Sequence, residues 1–77
     1  MKANRAFELI VTKGGRAPAL LDPERVDHLE ILDIASGEVV LFWDVYPHQT
    51  GRMSRALKGD LAQMEDDEFL HKWSRYG

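Results

Sequence analysis

The sequence predicts a single α+β domain, a three-stranded and mainly antiparallel sheet followed by a C-terminal helix. Three observations carry this. Segments 6–12, 28–34 and 39–46 read as strands, the first with apolar residues at period two and the third apolar on both faces, a Ser36-Gly37 pair separates the last two, and from position 52 the spacing becomes helical. With 77 residues there is room for one core, since domains run to roughly 100–200 residues, so residues 1–77 are read as one unit. Hydrophobic residues at 44% and charged residues at 30% place the chain among globular rather than disordered proteins.

Ala6 to Thr12 reads Ala-Phe-Glu-Leu-Ile-Val-Thr, rich in aromatic and β-branched side chains, with Phe7, Leu9 and Val11 on one face of a first strand. Gly14-Gly15 ends it, because paired glycines suit a tight turn and weaken a strand interior. Ala17 to Leu21 is apolar, but Pro18 lacks a ladder donor, so this segment is read as irregular and packed. Asp22-Pro23-Glu24-Arg25 has the chemistry of a helix start, with a carboxylate cap, a proline at the first helical position and an acid in the first turn. Only one or two turns fit there.

His28 to Ile34 is the second strand, and Ser36-Gly37 is the turn of a hairpin. Val39 to Tyr46 is the third, with Val39, Leu41, Trp43 and Val45 on one face and Val40, Phe42 and Tyr46 on the other. A strand apolar on both faces is expected at the centre of its sheet, covered on both sides. Pro47 closes it. The order in which the first strand and the hairpin pair is left open.

From Arg52 to Met64, the residues Met53, Leu57, Leu61 and Met64 gather on one helical face, opposite Arg52, Arg55 and Lys58. Thr50 is the expected cap, and Gly59 weakens the helix by roughly 1 kcal/mol relative to alanine. The run Glu65-Asp66-Asp67-Glu68 suits the positive end of a helix. A break or bend is therefore expected near Glu65, with a second short helix carrying Phe69, Leu70 and Trp73 to about Arg75.

Ten Lys and Arg against 13 Asp and Glu leave a net charge of −3, the wrong sign for a general nucleic-acid binder, whose affinity rests on phosphate neutralisation. The charges are unevenly spread. Residues 27–51 contain no Lys or Arg and carry Asp27, Glu30, Asp33, Glu38 and Asp44. This acidic block is expected to complement basic groups of the chain, and it offers a docking surface to a basic partner. The absence of cysteine removes disulfides, zinc ribbons, iron–sulfur sites and thiol chemistry. No stretch approaches the roughly 20 apolar residues of a membrane span, and a cytoplasmic protein is expected.

No motif fixes a reaction. His28 and Glu30 share a strand face, and His48 and His71 stand elsewhere, but no ligand spacing joins them, so neither a metal nor a cofactor is expected. Asp44 and His48 flank Tyr46-Pro47 as an acid and a base, yet Ser36, Ser54 and Ser74 have no elbow or neighbouring base to make a nucleophile. Lys13-Gly14-Gly15-Arg16 holds amides and cations suited to phosphate but lacks the spacing of a P-loop. Arg52, Arg55 and Lys58 stand at the start of a helix, where positive charge opposes the dipole. Ion pairing with the acidic block, within or between subunits, is expected to offset this. Phe42, Trp43, Tyr46 and Trp73 are the candidate protein-binding residues, since aromatic side chains carry much interface energy.

These readings point to a non-catalytic protein–protein interaction module, an accessory or regulatory protein that binds another protein and acts as a homodimer. A domain this small buries only about 60% of its unfolded surface, and one helical layer covers one sheet face, so a second copy supplies the missing burial. The alternative class is a nucleic-acid-associated regulator of the antitoxin-like or phage-encoded kind, using Arg52, Arg55, Lys58, Lys13 and Arg16, with the net charge against it. A third class, a small metal-dependent or acid–base enzyme, rests on His28, Asp44 and His48 alone. A salt-dependent gel shift, a metal screen by thermal shift and a pull-down separate the three.

Overall fold

The computed structural model describes residues 1–14 and 26–76. In chain order these form helix α1 (Ala3–Ala6), strands β1 (Phe7–Thr12), β2 (Asp27–Asp33) and β3 (Val39–Val45), and helices α2 (Pro47–Gln63) and α3 (Asp66–Ser74). The class is α+β, with the sheet ordered β1-β2-β3 and both pairs antiparallel. The irregular apolar segment expected at 17–21 and the helix start expected at 22–25 lie outside the described residues.

Strand β2, not β3, is the centre of the sheet. Its Asp27, Leu29 and Ile31 are buried, and the two apolar side chains are flanked on both sides: Leu29 lies between Val11 and Trp43, and Ile31 between Leu9 and Leu41. The apolar content of β3 pointed to the wrong strand because content reports what a strand can bury, whereas centrality depends on how many neighbours it pairs with. β3 pairs with β2 alone among the described strands, and its outer face is left open.

A bulge decides which half of β3 turns inward. Next to the turn Leu32 faces Val39, a register that, if continued, would set Leu29 against Phe42. One extra residue, Val40, shifts the pairing so that Ile31 faces Leu41 and Leu29 faces Trp43. Because side chains alternate, this shift commits Leu41, Trp43 and Val45 to the core side and turns Phe42 outward. Val39, grouped with the inward set by simple alternation, instead lies opposite Leu32 and is 47% exposed. The hairpin itself forms where expected. Gly37 adopts φ 76°, which glycine reaches without a Cβ clash, and the Asp33 carboxylate accepts the amide hydrogens of Ala35 and Ser36. Gly14 is required for a different reason: a Cβ there would stand 1.9 Å from the Val26 carbonyl oxygen.

Helix α2 begins at Pro47, earlier than the sequence suggests. Proline at the first helical position is pre-set in φ and lacks only an amide hydrogen that would have no helical partner. Thr50 is consequently inside the first turn rather than capping it, buried, with its hydroxyl donating to Asp27 Oδ2 at 2.7 Å. The expected break at Glu65 is present. Glu65 caps α3 through a capping box in which its carboxylate accepts the Glu68 amide and the Glu68 carboxylate accepts the Glu65 amide, with Asp66, Asp67 and Glu68 in the dipole-favoured first turn.

Helix α1 has no counterpart in the sequence reading. Four residues carry no readable period, and the turn is held by tertiary bonds: the Ala3 amide donates to Met64 O and the Asp66 amide to Met1 O, both at 2.9 Å. The Met1 ammonium sits 2.8 Å from Glu65 Oε2. That hydrogen bond and the accompanying charge attraction raise the pKa of the amine and lower that of Glu65.

The core lies between the sheet and the helices. Leu29, Ile31, Leu57 and Phe69 are fully buried, Met53 and Leu61 extend the α2 face that periodicity predicts, and Phe7 stacks on Phe69 with ring centroids 5.8 Å apart. Trp73 is 4% exposed, and its indole donates to Asp60 Oδ2, which also accepts the Lys72 ammonium.

Candidate functional site

The antiparallel register places two sets of side chains on the two faces of the sheet. The helices cover the set containing Leu29, Ile31, Leu41, Trp43 and Val45. The other set, read across the strands, is Glu8, Ile10 and Thr12 on β1, His28, Glu30 and Leu32 on β2, and Phe42 and Asp44 on β3. Phe42 is 52% exposed at the margin of this outer face, directly opposite Glu30. None of the three strands contains Lys or Arg, so the outer face is apolar at Ile10, Leu32 and Phe42 and acidic at Glu8, Glu30 and Asp44. Of the acidic block only Glu30 and Asp44 reach this face; Asp27 is buried on the helix side, Asp33 accepts the amides of the hairpin turn and Glu38 lies between the strands, so the block does not form one surface.

His28 and Asp44 face each other across β2 and β3, with His28 Nδ1 2.6 Å from Asp44 Oδ1. The His28 ring also stacks on Phe42 at 5.4 Å between centroids. Sequence reasoning set Asp44 beside His48. In the structure Asp44 is engaged by His28, while the His48 ring stacks on Tyr46 at 6.0 Å. The true pair was hidden because finding it requires the register after the bulge. Among the described residues no three His, Cys, Asp or Glu side chains converge as a metal site would require.

The four aromatic candidates divide. Phe42 and Tyr46 are each 52% exposed, Trp43 is half-buried, and Trp73 belongs to the core. Beside the free edge of β3 runs a groove of about 430 Å³ lined by Trp43, Val45, Arg52, Met53, Trp73 and Tyr76. Trp43 meets Trp73 edge-on at 5.7 Å, and Tyr76 lies 5.0 Å from Trp73, so aromatic rings form one wall and the Arg52 side of α2 the other.

Of the basic candidates Arg52 lines this groove, and Arg55 and Lys58 do not. Arg52, Arg55 and Lys58 are exposed on α2, and no salt bridge joins any of them to a described carboxylate. Pairing with the acidic block of the same chain is thus not observed among the described residues. Arg52 lines the groove together with Asp44 without coming within salt-bridge distance of it, and Asp27, Asp33 and Glu38 are placed in the core and at the turn. Lys13 is exposed at the end of β1, and Arg16 lies outside the described residues. The Gly14 amide, offered as part of a phosphate-binding turn, already donates to Asp27 Oδ1 at 3.1 Å.

Among the described residues, fold and surface together define a small α+β domain with a partly apolar and partly acidic outer sheet face, an unpaired β3 edge and no helix long and apolar enough to cross a membrane. No family model matches the chain, and neither a curated protein nor a solved structure matches it significantly.

Proposed function

We propose that this chain is a non-catalytic protein–protein interaction module, an accessory or regulatory domain that works as a homodimer. One observation carries the reading: β3 combines an edge unpaired among the described residues with exposed Val39, Val40, Phe42 and Tyr46 at its margin. Natural proteins blunt free edges with charged residues, proline or bulges; Val39–Val45 has one carboxylate and one bulge near its start but no lysine or proline, and its middle is left apolar. An apolar edge of this kind is an association surface or an aggregation hazard. Sedimentation equilibrium at micromolar concentration is expected to return the mass of two chains. A strictly monomeric species would count against the homodimer.

A second reading has one observation in its favour. Arg52, Arg55 and Lys58 are three exposed cations on one helix without a carboxylate partner among the described residues. If they contact a nucleic-acid backbone, duplex binding measured by fluorescence anisotropy falls with salt. Replacing all three by alanine then flattens the slope of log affinity against log salt by about 3 units, near one unit for each phosphate no longer neutralised. The interaction-module reading expects no such salt-dependent binding.

A further inference from the structure

We propose that β3 pairs with β3 of a second copy of this chain, antiparallel and about a two-fold axis at Phe42, joining two three-stranded sheets into one of six strands. This rests on the homodimer reading above and specifies its contact. Symmetric dimers need a self-complementary patch, in which residue i meets j and j meets i. For two antiparallel edges the axis runs normal to the sheet, and one residue must face its own copy. Within the strand the choices are Leu41, Phe42, Trp43 and Asp44.

Charge and packing select among them. An axis at Asp44 opposes two carboxylates, and an axis at Leu41 opposes Asp44 to Glu38, both unfavourable because like charges directly opposite destabilise a strand pair. An axis at Trp43 brings together two indoles that already pack edge-on against Trp73 on the helical side. The axis at Phe42 sets the exposed ring against its copy on the outer face, Leu41 against Trp43, and Asp44 against Val40, with no like charges opposed. It also leaves the bulge at Val40 toward the end of the paired segment, where it interrupts little.

The strand ends add complementary charge. Antiparallel pairing carries the Glu38 end of one β3 to the Tyr46 end of the other. Arg52 lines the groove beside Val45 at that end and meets no described carboxylate within salt-bridge distance, and the exposed Glu38 meets no cation there. Two copies related in this way exchange a Glu38–Arg52 attraction at each end.

The lack of cysteine makes the register directly testable. Directly opposed residues on antiparallel strands have Cα atoms about 4.5–5.5 Å apart, within the reach of a disulfide. Under mild oxidation Phe42→Cys is expected to give a covalent dimer as its major species. Glu30→Cys, on the outer face but away from the edge, is expected to stay uncrosslinked. Because Phe42 is part of the contact, a second assay keeps it: an equal mixture of Val40→Cys and Asp44→Cys chains should crosslink to each other far more than either does alone. Phe42→Lys, which opposes two cations, should raise the dimer dissociation constant at least about tenfold while circular dichroism stays unchanged. A native dimer that crosslinks best at Glu30, Leu41, Trp43 or Asp44 would overturn the Phe42 axis and leave the homodimer reading intact. A monomer by sedimentation would overturn both.

Discussion

Alanine at Leu57 or at Phe69 is expected to leave the chain largely unfolded in buffer. Both side chains are fully buried in the one core. Truncating a buried leucine costs about 2–5 kcal/mol and a buried phenylalanine about 3–5 kcal/mol, through lost transfer energy and the cavity left behind. A core in a domain of this size rarely supplies more than about 3–5 kcal/mol of net stability, so the loss rivals the whole. Urea titration followed by tryptophan fluorescence reports it, since Trp73 is buried and Trp43 half-buried. Protein concentration must be held fixed, because dimerisation adds stability by mass action. Leu57→Met, which conserves volume, should cost less than about 1.5 kcal/mol and separates a cavity effect from a folding failure of another kind. Unchanged midpoints in both alanine variants would mean that α2 and α3 do not pack through these faces.

Much of this core was legible in advance, because helical and strand periods are direct physical consequences of where side chains point. Met53, Leu57 and Leu61 mark the buried face of α2, Phe7 shares one face of β1 with Leu9, and the acidic run from Glu65 marks the start of α3. What escaped depends on long-range geometry. The central position of β2 follows from β1 pairing across it, and the orientation of β3 follows from one extra residue at Val40, neither of which is written in local composition. Thr50 looked like a cap because threonine before a helical period usually is one, yet the proline at 47 starts the helix earlier and frees the hydroxyl for Asp27. At the candidate site, exposed Phe42 and Tyr46 were among the aromatic residues singled out. The His28–Asp44 pair was not, and Trp73 proved to serve the core.

The bond between Asp27 and Thr50 leads to the second large effect, a coupled loss of stability when either partner is removed. Asp27 is 1% exposed, an unusual position for a carboxylate, which stays in an interior only when its oxygens are satisfied. Among its contacts, one oxygen accepts the Gly14 amide at 3.1 Å and the other the Thr50 hydroxyl at 2.7 Å. The residue therefore joins three pieces of chain: the segment leaving β1, the first residue of β2, and the first turn of α2. Hydrogen bonds to a charged group contribute about 1.5–3 kcal/mol each, and a buried donor left without a partner adds a desolvation cost of its own. Asp27→Ala is accordingly expected to lower stability by about 3 kcal/mol or more, and Thr50→Val, which keeps the shape of the side chain, by about 1.5–3 kcal/mol. Thr50→Ser retains the hydroxyl and should lose less than Thr50→Val. The decisive quantity is the double-mutant cycle: once Asp27 is alanine, removing the hydroxyl should cost little more, giving a coupling of about 1–3 kcal/mol between the two sites. Strictly additive losses would show that each residue acts through other neighbours and that the bond does not tie the start of β2 to α2.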